Sequence, residues 1–82
     1  MIRINENVVE MDFGDQMIIE IEEKTMGINA TGRYIYIRLK EGKNLEEIVH
    51  EMEKDFGRSR NYKDDIVNYL KQMNEFGVID IY

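Results

Sequence analysis

Side-chain catalysis needs an acid, a base and a nucleophile within reach of one another, and this chain offers few of them. His50 is its only histidine and Ser59 its only serine, and it has no cysteine. His50 stands between Val49 and Glu51 without an ordered carboxylate partner, so it reads as a surface residue rather than a metal ligand or a triad member. Ser59 lies in Arg58-Ser59-Arg60, without nucleophile-elbow glycines and without a histidine at a useful spacing. Glu46, Glu47, Glu51, Glu53 and Asp55 make an acidic helix face, which is ordinarily just solvated. Tyr34 and Tyr36 could stack on a ligand, although on a helix one of the two would cap the core. No catalytic residue, metal site or cofactor is expected, and the chain does not read as an enzyme.

Recognition chemistry is the alternative, and composition narrows it. Eleven Lys and Arg against 17 Asp and Glu leave a net charge of −6, which repels a phosphate backbone and argues against nucleic acid. Hydrophobic residues at 43% are enough for one core, so the 82 residues read as a single domain over 1–82. No apolar run approaches the roughly 20 residues that cross a bilayer, so no membrane is expected. The lack of cysteine suits a cytoplasmic location and means the core holds without disulfides.

Stepping through the chain, the first third is β-like. Val8-Val9-Glu10-Met11 and Met17 to Ile21 are β-branched runs divided by Asp12-Phe13-Gly14-Asp15, which has the composition of a hairpin turn. Ile19 and Ile21 share one face, and Glu20 and Glu22 the other. Glu22-Glu23-Lys24 makes a second turn into a short strand ending at Ile28, and such short links imply antiparallel pairing. The second half is helical. Leu45, Ile48, Val49, Met52 and Phe56 form one stripe, opened by Asn44 with Glu47 and closed by Gly57. A final helix from about Tyr62 to Phe76 carries Ile66, Tyr69, Leu70 and Met73 on one face and stops at Gly77. Val78 to Tyr82 would add a last extended segment.

Residues 29 to 42 remain ambiguous on local grounds. Tyr34 to Leu39 has the aromatic and β-branched composition of a strand, but Asn29 is a good N-cap and Glu41-Gly42 a plausible stop. As a helix, Ile28, Ile35 and Leu39 would form the core face, with Thr31 one turn earlier.

"INATGRYIYIRLKEGKNLEEIVHEMEKDFG" and "KDDIVNYLKQMNEFGVI" together resemble the PqqD-like family, from PQQ-biosynthesis protein D to the RiPP recognition elements. The likeness lies in the order and spacing of Ile28-Asn29, Thr31-Gly32, Asp65-Ile66, Tyr69-Leu70, Met73 and Gly77-Val78-Ile79. It implies an α+β, winged-helix-like fold with a three-stranded antiparallel sheet followed by three helices. It also implies that Asn29 to Leu39 is the first helix. RiPPs are ribosomally made, post-translationally modified peptides, and members of the family bind the leader segment of the precursor. The implied partners are therefore a leader peptide and a modification enzyme such as a radical-SAM enzyme, a peptidase or a cyclase.

In this family the leader adds as a strand beside the third strand and packs on the third helix. The resemblance thus implies a pairing edge of Lys24, Thr25, Met26, Gly27 and Ile28. On the last helix Asp64, Val67, Asn68 and Lys71 form a stripe beside the core face that could line the groove. Two other classes compete. A winged-helix DNA-binding protein would want a basic recognition helix, whereas Lys63 and Lys71 are set against Asp64, Asp65 and Glu75. A small acidic carrier protein needs an attachment serine at a helix start, which Arg58-Ser59-Arg60 does not provide. The sequence leaves open whether the module acts alone or as a homodimer.

Overall fold

The computed structural model describes residues 1–82. Two strands open the chain, β1 (Ile2–Ile4) and β2 (Val9–Asp12), followed by β3 (Met17–Ile21) and β4 (Lys24–Ile28). Three helices follow, α1 (Ala30–Lys40), α2 (Leu45–Phe56) and α3 (Tyr62–Phe76), and β5 (Ile79–Ile81) ends the chain. β2, β3 and β4 form an antiparallel sheet in that spatial order, so β2 and β4 are both edges. No helix is long and apolar enough to cross a membrane.

Alternation sets the sheet's two faces. Met17, Ile19, Ile21 and Ile28 are buried under the helices, while Glu20 and Gly27 face away. The β2–β3 link turns at Gly14, whose φ of +90° suits a residue without a side chain. The β3–β4 link is the pair Glu22-Glu23, with φ of +48° and +67°. Positive φ at both central positions gives the twist that a two-residue hairpin needs.

Between Asn29 and Lys40 the helix prevails. The Asn29 side chain accepts from the Gly32 N–H at 3.0 Å, and the face turned inward is Gly32, Ile35, Tyr36 and Leu39. Thr31, placed on that face by the sequence reading, is exposed. Tyr36 is buried in full, and its hydroxyl donates to Glu10 at 2.7 Å, so a polar tip does not prevent an aromatic residue from filling the core. α2 begins with a complete capping box between Asn44 and Glu47. Its stripe is shorter than the sequence suggests, because Phe56 at its end is 57% exposed, with the Tyr34 ring edge-on to it at 5.3 Å.

One pairing was not visible in the sequence. β1 joins β5 as a separate two-stranded antiparallel ribbon, with Ile2 opposite Ile81 and Ile4 opposite Ile79. Val78 and Ile79 are fully buried at its root. The first strand therefore covers the end of the helical layer rather than joining the larger sheet.

Candidate functional site

β4 leaves one edge of the sheet open, and its hydrogen-bond phase follows from the hairpins. Phe13 donates its N–H to the Gln16 carbonyl at 2.9 Å, which fixes Phe13–Gln16 as a hydrogen-bonded pair. In an antiparallel ladder such pairs alternate with non-bonded ones. In the observed register Met11–Ile18 and Val9–Glu20 are then bonded pairs on one side of β3. On its other side the bonded pairs are Met17–Ile28, Ile19–Met26 and Ile21–Lys24. Lys24, Met26 and Ile28 thus bond inward to β3. Thr25 and Gly27 point their N–H and C=O groups outward, with no strand to receive them.

Side-chain direction complements this. Lys24, Met26 and Ile28 lean toward the helices, and Met26 and Ile28 pack on the core. Thr25 and Gly27 face the opposite side of the sheet, and a Cβ built at Gly27 meets no atom within 4 Å. A strand laid along Thr25–Gly27 would therefore meet open backbone on one side and α3 on the other.

α3 bounds the groove through two contacts. At one end the Lys24 ammonium donates to the Phe76 carbonyl at 3.1 Å and sits 5.1 Å from the centre of the Phe76 ring. At the other end the Tyr69 hydroxyl donates to the Asn29 side-chain oxygen at 2.5 Å. Tyr69 also lies over Gly32 and close to Ile28: a Cβ on Gly32 would stand 2.8 Å from the Tyr69 ring and 3.2 Å from the Ile28 Cβ. Gln72 falls between Tyr69 and Phe76 on the same side of the helix.

The sequence reading assigned the helix side of this groove to Asp64, Val67, Asn68 and Lys71. Those residues are exposed, whereas Tyr69 and Phe76 of α3 stand against Asn29 and Lys24 at the two ends of the groove. At 3.6 residues per turn Val67 projects about 180° from Phe76, Lys71 about 140° and Asp64 about 120°. Asn68, at about 80°, comes nearest to the groove's rim. Tyr69 was read only as core, yet it is half-buried, with its ring inward and its hydroxyl at the surface. The signal was a tyrosine among the aliphatic residues of the stripe, since a buried ring with a wet tip suits a groove wall.

Beyond the Asn29–Tyr69 contact the surface sinks again. A hollow of about 400 Å³ lies between the start of α1, the end of α2 and the start of α3, lined by Tyr34, Met52, Phe56 and Tyr62 among others. Its polar rim is internally paired, with the Arg60 Nε donating to Asp65 at 2.9 Å. Asp65 lies one turn before Tyr69 on α3, so this hollow continues the line of the groove.

The fold and the open edge define a class: a small α+β domain with an unpaired strand beside a helix, an edge of the kind to which an extended chain can add. The family model for coenzyme PQQ synthesis protein D (PqqD) matches residues 15–79, and the chain belongs to that family. No curated protein matches it significantly. Among solved structures it is similar to TbiB1 in complex with the TbiA(beta) leader peptide. The match has a TM-score of 0.87 and 24% identity, over 98% of this chain and 96% of that one. The likeness is one of fold, and it extends over β1 and β2, which precede the family match.

Proposed function

We propose that this chain is a non-enzymatic module that captures the leader segment of a ribosomally made precursor peptide and presents it to a modifying or processing enzyme. The observation that carries this reading is the pair of outward-facing backbone positions, Thr25 and Gly27, beside a groove walled by Tyr69 and Phe76. Membership of the PqqD family and the likeness to a leader-peptide complex support it. Main-chain hydrogen bonds to β4, each worth about 0.5–1.5 kcal/mol net, tolerate many sequences, so discrimination falls to the side-chain pockets between strand and helix. An antiparallel peptide places its N-terminal flank at the Ile28 end, toward the hollow beyond Asn29. Lys24 to Ile28 is the proposed pairing edge, with Asn68 at its rim.

The test separates backbone from side chain. Gly27→Pro removes an outward donor on an edge strand, where proline is tolerated, while Gly27→Ala keeps the donor and adds a Cβ into open space. The probe is a fluorescently labelled synthetic leader segment of a ribosomal precursor peptide, titrated by anisotropy. Gly27→Pro is expected to weaken binding by about 1 kcal/mol or more, roughly fivefold, and Gly27→Ala to bind like the parent. Equal affinity for a folded Gly27→Pro variant would rule out pairing along β4.

A further inference from the structure

β2, the opposite edge of the sheet, has a pattern that fits a second copy of itself. Val9, Met11 and Phe13 alternate along the face turned away from the helices and are 56%, 39% and 58% exposed. The same ladder phase that frees Thr25 and Gly27 frees Glu10 and Asp12 here, because Val9 and Met11 bond inward to β3. All of β2 also precedes the residues that match the family, 15–79.

We propose that two copies of this chain pair antiparallel along β2, about a two-fold axis passing through Met11. Directly opposed residues in an antiparallel pair project from the same face, so only registers that set odd residues against odd keep each apolar stripe continuous. The register centred on Met11 pairs the whole of Val9 to Phe13. Val9 then lies opposite Phe13 of the second copy, and Met11 opposite Met11 at the close, non-bonded spacing of about 4.5 Å between Cα atoms. Glu10 and Asp12 of the two copies become the bonded pairs, which uses every outward N–H and C=O of the strand. Shifting by two residues in either direction shortens the overlap and sets Glu10 against Glu10 or Asp12 against Asp12.

Charges that point inward from an edge strand usually keep other strands away. In this chain they are already matched by cations of the same copy. Glu10 accepts from the Lys40 ammonium at 2.8 Å and the Tyr36 hydroxyl at 2.7 Å. Asp12 accepts from Arg33 through both oxygens, at 2.7 and 2.9 Å. A Glu10–Asp12 pair across the axis therefore brings together two compensated carboxylates. The contact is isologous, as a closed dimer requires. Five paired residues per copy bury much less than the roughly 1,600 Å² of a standard stable interface, so the dimer is a weak, concentration-dependent one. The two β4 edges would lie at the far ends of a continuous six-stranded sheet, which leaves the proposed peptide edge open in both copies.

Sedimentation velocity of the unliganded chain over a wide concentration range reads the association directly. A reversible monomer–dimer equilibrium is expected. Met11→Lys, which puts two ammonium groups at the axis, should raise the dimer dissociation constant by about tenfold or more. Ile81→Lys, at an exposed residue of the other ribbon, should leave it unchanged. Amide exchange on the parent protein supplies a readout that needs no variant: Glu10 and Asp12 should gain protection with concentration, and Thr25 and Gly27 should not. A chain that stays monomeric, or a dimer indifferent to Met11→Lys, overturns the proposal, as does protection that grows at Thr25 and Gly27 instead. Protection of Glu10 and Asp12 only when the labelled leader is added would make β2 the peptide edge, overturning both this dimer and the β4 reading. Loss of the dimer alone leaves the β4 reading intact.

Discussion

The Asp12 carboxyl is held well below the ordinary carboxylate range. Hydrogen bonds from Arg33, and then from the Gly14 N–H at 2.8 Å, bring it from an ordinary 3.8 down to about 2. Its sign in folding is set by that direction. A carboxylate with a depressed folded pKa contributes stability above its unfolded pKa and loses it as pH falls through the folded one. Asp12 therefore helps the fold fully above about pH 4 and ceases to help near pH 2. Urea unfolding from pH 5 to pH 2 should show this: Asp12→Asn should lower stability at about pH 5, with the difference from the parent shrinking toward about pH 2. Glu10 beside it is also lowered. Burial acts to raise it, but the bonds from Lys40 and Tyr36 prevail. The Tyr36 hydroxyl is raised, first by its burial and then by donating to the Glu10 carboxylate.

At the scale of elements, the start of α1 links strand, helix and groove. Asn29 caps α1 and also holds the Tyr69 hydroxyl, so the same side chain ends β4, begins the helix and fixes one wall of the groove. Gly32 lets the Tyr69 ring lie against α1. Within a helix, Gly→Ala ordinarily stabilises by up to about 1 kcal/mol. At Gly32 the added Cβ would meet the ring at 2.8 Å, and Tyr69 is tied down at its far end by Asn29. Gly32→Ala is therefore expected to lower stability by about 1–3 kcal/mol, as overpacking does, with the Tyr69 ring displaced. Thermal unfolding measures the sign, and the ring-proton shifts of Tyr69 report the displacement.

At the scale of the whole molecule, the β1–β5 ribbon closes the end of the helical layer opposite the β2–β3 turn. Ile79 is fully buried in that closure and Ile81 is 51% exposed, although both lie on the same three-residue strand. Ile79→Ala should cost about 2–5 kcal/mol, the range for truncating a buried isoleucine. Ile81→Ala, at the exposed end of the strand, should cost about 0.5 kcal/mol or less. Denaturant melts of the two variants give the comparison. Equal costs would mean that the ribbon is only a loosely attached appendage of the core.

Much of this fold is written in short-range chemistry. The alternation of Met17, Ile19 and Ile21, the Asn44–Glu47 box and the stop at Gly77 each depend on neighbours within a turn or a strand, so they are legible in the residues alone. The tract from Tyr34 to Leu39 is not. Its side chains suit a strand, its caps suit a helix, and the balance tips only when Ile35, Tyr36 and Leu39 are buried together against the rest of the core. Tertiary contact also settled which side of α3 faces β4. The sequence gives the spacing of Val67, Tyr69 and Phe76 but not the rotation of the helix, which follows from packing Tyr69 over Gly32. The pairing of Ile2 with Ile81 was out of reach for a similar reason. Three-residue strands carry almost no periodicity, and nothing in the intervening chain says that its two ends meet. Sequence determined β2, β3, α2 and α3 with their turns and caps; only the assembled core decided the α1 helix, the β1–β5 ribbon, and which side chains stand beside the β4 edge.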